Sequence, residues 1–502
     1  MTLLNVLAGV SVTKLFDARY GKAVVTQELE IQGIAYDSRQ VVLGGMFVAI
    51  RGTTVDGHRF IDEAVHNGAV AVVMDNDAAR DDAFFLHTNV VKIVVRDSRR
   101  ALAGISANYY GNPSRQLRLV GVTGTNGKTT TTHLLKAILE ERGETVGLIG
   151  TIQYLVGEKP LPATHTTPES LELNQLLAAM VSKGCSTAVM EVSSHALAMS
   201  RVHGMEFSAG VFTNLTQDHL DFHSSMEEYF KAKKMLFDEL PDRAYAMTNV
   251  DDQYGEKIIE GTKAKTVTYG TTHRAHVRAE DIRLGIHGSE FTVTHDGLSQ
   301  RVRSSLTGLF NAMNITAAYA TGLALGMSEP TIVAGIARVT SVPGRFEQIP
   351  SPDGWTAIVD YAHTPDALEN CLRAIHEIVS PKGTRKIITI FGCGGNRDRG
   401  KRPLMGRIAS TMSDITVITS DNPRQEDPQA IIQEIRAGVV SGATVYVEVD
   451  RRKAIALGLE RAAPGDIVLI AGKGHENYQV VGSVRSHFDD REEVDVFIRK
   501  NA

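Results

Sequence analysis

The residue types best placed for chemistry lie in the run Gly121-Val122-Thr123-Gly124-Thr125-Asn126-Gly127-Lys128-Thr129. Glycines let a backbone wrap closely around an anion, and successive N–H groups at a helix start favour phosphate oxygens. Lys128 can reach β- and γ-phosphates, and the Thr129 hydroxyl can ligate Mg²⁺. The strict phosphate-loop pattern has Gly where this chain has Val122, so the loop is a variant. Downstream, Glu191 ends an apolar run and is followed by Val192-Ser193-Ser194-His195. Alone it reads equally well as a strand-end surface acid or as an Mg²⁺ ligand. Its setting favours the ligand.

Elements must hold these groups. An apolar strand, Leu117–Val122, precedes the loop, and a helix from about Lys128 to Arg142 follows it. Strands are expected at Met46–Ile50, Val70–Met74, Lys92–Val95, Thr145–Ile149 and Thr187–Val192, with helices at Phe60–Asn67 and Arg99–Tyr110. Later strands fall at Lys386–Phe391, Ile415–Thr419, Thr444–Val449 and Ile467–Ala471. Strands alternating with helices imply an α/β protein with parallel sheets covered on both faces. Turn chemistry at Gly111-Asn112-Pro113-Ser114 and Ser341-Val342-Pro343-Gly344 divides the chain into three expected domains, 1–113, 114–341 and 342–502.

The chain has 502 residues, 43% hydrophobic and 22% charged, which excludes a disordered or fibrous protein. With 53 Lys and Arg against 58 Asp and Glu, the net charge of −5 gives no bulk attraction for nucleic acid or anionic lipid. Three scattered cysteines form neither a disulfide framework nor a metal cluster, which fits a reducing cytoplasm. The start, Met1 to Leu15, lacks the basic region and cleavage site of a signal peptide. Ser304 to Ser328 carries no charge but holds asparagines and three glycines, so it reads as a buried helix rather than a membrane span. A soluble protein is expected.

Five motifs in order resemble those of the Mur ligase family, ATP-dependent amide-forming enzymes of peptidoglycan assembly. They are the phosphate loop, Thr213-Asn214-Leu215-Thr216-Gln217-Asp218-His219-Leu220-Asp221, Gly308-Leu309-Phe310-Asn311-Ala312-Met313-Asn314, Pro343-Gly344-Arg345-Phe346-Glu347, and Asp360-Tyr361-Ala362-His363-Thr364-Pro365. Within the family the chain is most similar to members that add diaminopimelate. Tyr36-Asp37-Ser38-Arg39 and Asp56-Gly57-His58 resemble a uridine-nucleotide domain. Thr164-His165-Thr166-Thr167-Pro168 resembles the substrate loop, and Asp421-Asn422-Pro423-Arg424 with Gly472-Lys473-Gly474-His475-Glu476 resembles the amino-acid site.

The resemblance implies a uridine-nucleotide (UDP-MurNAc) domain, a central P-loop ATPase domain with a mostly parallel sheet, and a Rossmann-like C-terminal domain. It implies that ATP converts the acceptor carboxylate of UDP-MurNAc-L-Ala-D-Glu into an acyl phosphate, which the amine of meso-diaminopimelate then attacks. Catalysis falls to Lys128, Glu191, His219 and Lys233. ATP contacts fall to Gly124, Thr125, Asn126, Gly127, Lys128, Thr129, Thr130, Asn311, Arg345, Asp360 and His363. Ser38, Thr166, Thr167, Ser193 and Arg201 would bind the nucleotide-sugar dipeptide, although Met199 stands where some relatives place Gln. Arg397, Asp421, Asn422, Pro423, Arg424, Gly472 and Glu476 would bind diaminopimelate. Mg²⁺ would be held by Thr129, Glu191, His219 and Lys233, the last as its N6-carboxy (carbamate) form. By residue type alone Lys233 is a solvated helical lysine; the family pattern reverses that. His363 alone reads as a polar loop residue.

Arg424 can grip the second carboxylate of diaminopimelate with its planar fork, which argues against the lysine-adding alternative. A nucleotide-switched binding protein is the other class considered; it would leave the C-terminal amino-acid motifs without a role. The expected partners are small molecules only, acting on a cytoplasmic monomer.

Overall fold

The computed structural model describes residues 1–17, 29–52, 55–379 and 385–501, and the chain forms two compact units, Met1–Gly121 with Glu144–Ser208 and Val122–Gly143 with Ala209–Ala502. The architecture is α/β with mostly parallel sheets, as expected.

In the first unit, Val12–Phe16, Val91–Val95, Ala69–Met74, Gly45–Val48 and Ile34–Ala35 form a five-stranded sheet in that order, parallel except for the first strand. Alternating residues serve opposite faces, as the strand period of two requires. Met46, Val48, Val73 and Ile93 pack with Leu102 and Ile105, while Phe47, Val72 and Met74 pack with Ile61, Ala64 and Phe85. The helix Ser98–Tyr109 begins where Asp97 accepts from the N–H groups of Arg99 and Arg100. The same unit pairs Thr187–Glu191 in parallel with Val146–Ile149, which continues into antiparallel strands Gln153–Val156 and Lys159–Pro162.

The strand Arg118–Thr123 leads into the loop, and Lys128–Glu141 is the helix beyond it. In the second unit Phe207–Phe212, Tyr245–Asn249, Lys265–Gly270 and Val277–Gly285 run parallel, and Gly288–His295 and Leu298–Ser304 add two antiparallel strands. The expected helix over Ser304–Ser328 is shorter: Ser304 ends a strand and the helix spans Leu309–Ala324. The helix Glu329–Arg338 comes so close to Lys128–Glu141 that a Cβ on Gly335 would lie 2.4 Å from Ile138 Cα.

The C-terminal sheet orders Glu347–Pro350, Thr356–Asp360, Ile467–Ala471, Ile387–Phe391, Ile415–Ile418 and Val445–Val447, parallel after the first strand. The last of these in sequence, Ile467–Ala471, lies in the middle, so the strand order reverses there. Ligands of such sheets bind at the carboxyl ends beside the reversal. Those ends carry Asp360, Gly392–Gly395, Asp421–Arg424 and Gly472–Glu476. No helix among the described residues is long and apolar enough to cross a membrane. All three cysteines are buried.

Candidate active site

The phosphate loop is shaped by contacts that only glycine permits. Gly124 and Gly127 hold φ of 151° and 85°; a Cβ on Gly127 would lie 2.2 Å from Asn314 Oδ1, and one on Gly124 would collide with Thr213 Oγ1. Asn214 Oδ1 accepts from Asn126 N at 2.9 Å, and Thr213 Oγ1 donates to Asn126 O at 2.6 Å. The Asn126 amide and the Thr216 hydroxyl both donate to Asp366 Oδ2, at 2.9 and 3.0 Å. Thr125 is 3.1 Å from the Tyr229 hydroxyl. Thr129 and Thr130 are buried at the helix start. Lys128 Nζ folds back to the carbonyls of Gly124 and Thr125 at 2.8 and 2.7 Å.

Lys233 is buried on the helix Met226–Asp238, and its ammonium donates to the Gly124 carbonyl at 2.8 Å, 4.5 Å from the Tyr229 ring. Burial, reinforced by the Lys128 charge, drives its pKa well below that of an ordinary lysine, with Asp218 opposing. An uncharged amine is the form that can add CO₂. His219 Nε2 is 3.4 Å from Asp218 Oδ2. Burial, Lys233, Lys128 and His363 bring the His219 pKa down to about 4 against the pull of Asp218. His363 is likewise lowered to about 4, by burial and Lys401, while its Nδ1 donates to Tyr361 O at 2.8 Å. Burial would raise Asp218, but His219, His363 and Lys401 outweigh it and keep the carboxyl low. Neutral imidazoles can offer a lone pair; a protonated one cannot.

Arg345 Nη2 donates to Thr129 Oγ1 at 3.0 Å, with its guanidinium 4.5 Å over the Tyr361 ring. The buried Asp360 carboxylate accepts from Phe346 N and Ala362 N at 2.6 and 2.7 Å, so it shapes the segments carrying Arg345 and His363. Asn311 is buried; its amide donates to Thr307 O at 2.8 Å and its Oδ1 is 3.3 Å from Asn314 Nδ2.

At the sheet's carboxyl ends, Arg424 Nη1 donates to Gly395 O at 2.7 Å. A Cβ on Gly394 would lie 2.9 Å from Arg424 Nη1 and 3.9 Å from Arg397 Cγ, so this loop brings the two arginines together. Pro423 O sits where a Gly395 side chain would be, and Asp421 Oδ2 would be 2.8 Å from a Cβ on Gly472. Asn422 Nδ2 donates to Glu476 Oε2 at 2.8 Å. Burial and the Asp421 charge push the Glu476 carboxyl up, with Lys473 and Asn422 resisting. His219, Phe346, Asn396 and Arg424 all hold left-handed φ of 51–54°, a strained backbone that side chains rarely adopt and that clusters at functional sites.

In the other unit, both Glu191 carboxylate oxygens are engaged by Thr151: Oε1 accepts from its N–H at 2.9 Å and Oε2 from its hydroxyl at 3.0 Å. Thr166 Oγ1 is 3.0 Å from Thr151 Oγ1. Thr167 donates to Glu191 O at 2.8 Å and accepts from Ser193 N at 3.1 Å, and Arg201 Nη1 donates to Thr167 O at 2.8 Å. Thr166, Thr167, Glu191, Ser193 and Arg201 are therefore one cluster, with Met199 Sδ 3.6 Å from Arg201 Nη2. Ser38 is not part of it; its hydroxyl donates to Glu63 Oε2 at 2.7 Å.

Among the described residues, no three His, Cys, Asp or Glu side chains cluster as a metal cage. Mg²⁺ does not need one: it retains waters and binds one or two carboxylates plus phosphate oxygens. Taken one by one, the Thr129 hydroxyl and the Glu191 carboxylate are oxygen donors of the type Mg²⁺ accepts, whereas Lys233 is one only with an anionic carbamate on its nitrogen.

Sequence reasoning left Asp218, Tyr229, Lys401, Asp366 and Lys473 without a role. Asp218 and Lys473 stand inside the quoted motifs. Lys401 follows the loop of Arg397, but nothing in its spacing announces that it faces Asp218 and His363.

Family models match three stretches: a Mur ligase family catalytic domain over residues 30–110, a Mur ligase middle domain over 122–322, and a Mur ligase glutamate ligase domain over 344–474. The UDP-N-acetylmuramoyl-L-alanyl-D-glutamate–2,6-diaminopimelate ligase of Geobacter metallireducens is 46% identical, covering 94% of this chain and 95% of the relative. The ligase of the same name from Parabacteroides distasonis is 45% identical over 93% and 94%. A solved structure of a ligase with that name superposes with a TM-score of 0.67 at 32% identity, covering 97% and 99%. The MurF ligase of Thermotoga maritima in complex with ADP shares the fold, with a TM-score of 0.62 at 20% identity.

Proposed function

Because the chain belongs to the Mur ligase family, we infer that it is an ATP-dependent ligase joining meso-diaminopimelate to the D-Glu of UDP-MurNAc-L-Ala-D-Glu in peptidoglycan biosynthesis. The observation carrying this reading is near full-length likeness to diaminopimelate-adding ligases, in a chain whose Arg424, Asp421, Gly472 and Glu476 all sit at the ligand-binding ends of the C-terminal sheet.

The barrier is charge: an anionic carboxylate must approach an anionic γ-phosphate. The phosphate-loop N–H groups and Lys128 hold the nucleotide, with Arg345 beside Thr129. Lys401 and Lys128 add positive field where charge accumulates. The carboxylate oxygen attacks the γ-phosphorus and ADP leaves. The amine nitrogen then attacks the acyl carbon, loses a proton, and expels phosphate through a tetrahedral intermediate.

Mg²⁺, when bound, supplies electrostatic neutralisation of the phosphates. Thr129 and Glu191 would hold one ion; neutral His219 and Lys233, carbamylated by addition of CO₂ with release of a proton, would hold another. Thr166, Thr167, Ser193, Arg201 and Ser38 would take the nucleotide-sugar dipeptide, and Asn311, Asp360 and His363 would complete the nucleotide site. Arg424 and Arg397 would pair with the far carboxylate of diaminopimelate and Glu476 with its ammonium; the amine alone, as in lysine, would leave the arginines unpaired. The chain divides into domains at 113 and 341 and acts as a cytoplasmic monomer on small molecules, without membrane insertion.

ADP release tests the class. A ligase turns over ATP only with both the dipeptide nucleotide and the amino acid present. ADP release in the absence of both would overturn the reading.

A further inference from the structure

Lys473 is wholly buried, a rare position for an ammonium and one that demands compensating partners. Its Nζ lies 3.1 Å from Glu476 Oε2 and 3.3 Å from Asn422 Oδ1, and 5.4 Å from the Tyr478 ring centre. The orientation of the Asn422 amide is fixed, because its Oδ1 also accepts from Val480 N at 2.9 Å and a backbone N–H can only donate. Its Nδ2 must therefore face Glu476 Oε2, at 2.8 Å. Lys473, Asn422 and Glu476 close a triangle in which Oε2 takes both donors. Oε1 is left with the Tyr478 hydroxyl at 3.3 Å.

We propose that Lys473 is a specificity-determining positioning residue: by engaging Oε2 it turns Glu476 so that Oε1 receives the far-end ammonium of the incoming diamino acid. This rests on the amino-acid pocket described under Proposed function. The charge balance supports it. Asp421 and Glu476 are two acids side by side, and burial favours protonating Glu476; the Lys473 cation offsets both effects, with Arg451 also near. A protonated Glu476 would lose its attraction for an ammonium while leaving nucleotide binding untouched.

The test compares meso-diaminopimelate with 2-aminopimelate, which keeps both carboxylates but lacks the far amine. Steady-state KM and kcat are measured for the full-length enzyme and for Lys473→Met, Lys473→Gln and Glu476→Gln, with KM for ATP as control. In Lys473→Met the KM for diaminopimelate should rise at least tenfold, the preference over 2-aminopimelate should collapse at least tenfold, and KM for ATP should stay within twofold. Lys473→Gln keeps a donor but not the charge, and carries the same readout if the Met variant does not fold. A folded variant with unchanged KM and preference overturns the proposal. Failure of both variants to fold makes Lys473 structural and overturns it too. If Glu476→Gln keeps the preference, the pocket reading itself fails; if Glu476→Gln loses it and Lys473→Met keeps it, only this proposal fails.

Discussion

The side-chain nitrogen of Lys233 donates to the carbonyl of Gly124 at 2.8 Å, so a lysine buried on the helix Met226–Asp238 is tied directly to the phosphate loop. Among the described residues no carboxylate takes a hydrogen bond or ion pair from it, and the acidic charge acting on it is that of Asp218. Lys233→Ala should therefore lower kcat by about 10²–10³, the usual loss for a preorganised charge stabiliser. Stability should change little, because the buried Lys233 nitrogen makes one hydrogen bond, to the Gly124 carbonyl, and removing it also removes the cost of burying a polar group. Added bicarbonate should not restore the variant. Turnover assays beside a thermal melt decide it: wild-type activity in the folded variant would remove Lys233 from the site.

Gly127→Ala should disturb both the fold and the nucleotide site. The left-handed backbone costs a non-glycine residue about 1–2 kcal/mol, and the clash with Asn314 adds about 1–3 kcal/mol of overpacking. A lowered Tm together with weakened ATP binding by calorimetry is expected; a variant with wild-type Tm would show that the loop has room to shift.

Asp366 accepts from both Asn126 and Thr216, one on the phosphate loop and one on the segment leading to His219. Asp366→Ala leaves two donors without their acceptor. Each such loss is worth about 1–3 kcal/mol where the group is buried. The expected result is a raised KM for ATP with KM for diaminopimelate unchanged. An equal effect on both would place Asp366 outside the nucleotide side of the site.

Arg402 is fully buried between Glu426 and Glu434, and also donates to Gly394 O at 3.2 Å. Its hydrogen bonds to Glu426, helped by the Asn396 N–H, pull that carboxyl down to about 2. A depressed carboxyl contributes stability that is fully present above its unfolded value near 4.5 and is lost as pH falls toward 2. Denaturant melts across that window should show Glu426→Gln losing less stability on acidification than the parent chain. Parallel pH profiles would contradict the pairing.

Much of the site was legible because its chemistry needs rare residue patterns. A loop that bends at Gly124 and Gly127 cannot be built from other residues, so the motif announces itself. The Asp421–Arg424 and Gly472–Glu476 turns stood out through the family resemblance rather than through their own residue types. Lys233 and Lys473 were opaque as residues: a lysine beside Lys231 and Lys234, or between two glycines, reads as solvated until the fold buries it. Asp366 and Arg402 act through partners 240 and 24 positions away in sequence, which no local spacing reveals. The helix expected from Ser304 began late because the uncharged run spans a strand end and a turn as well. The strands Gly288–His295 and Leu298–Ser304 escaped notice because they are polar and half-exposed, without the apolar runs of the parallel strands.

The central claim is that this chain selects a diamino acid carrying a second carboxylate, read by Arg424. The most direct measurement is phosphate release with ATP, Mg²⁺ and UDP-MurNAc-L-Ala-D-Glu, comparing meso-diaminopimelate with L-lysine in the parent enzyme and in Arg424→Ala. Turnover with diaminopimelate and not lysine is expected, with diaminopimelate use weakened in the variant by about 2–5 kcal/mol, the range for breaking a buried charge pair. Preference for lysine, or an unchanged affinity for diaminopimelate in the variant, would contradict the account.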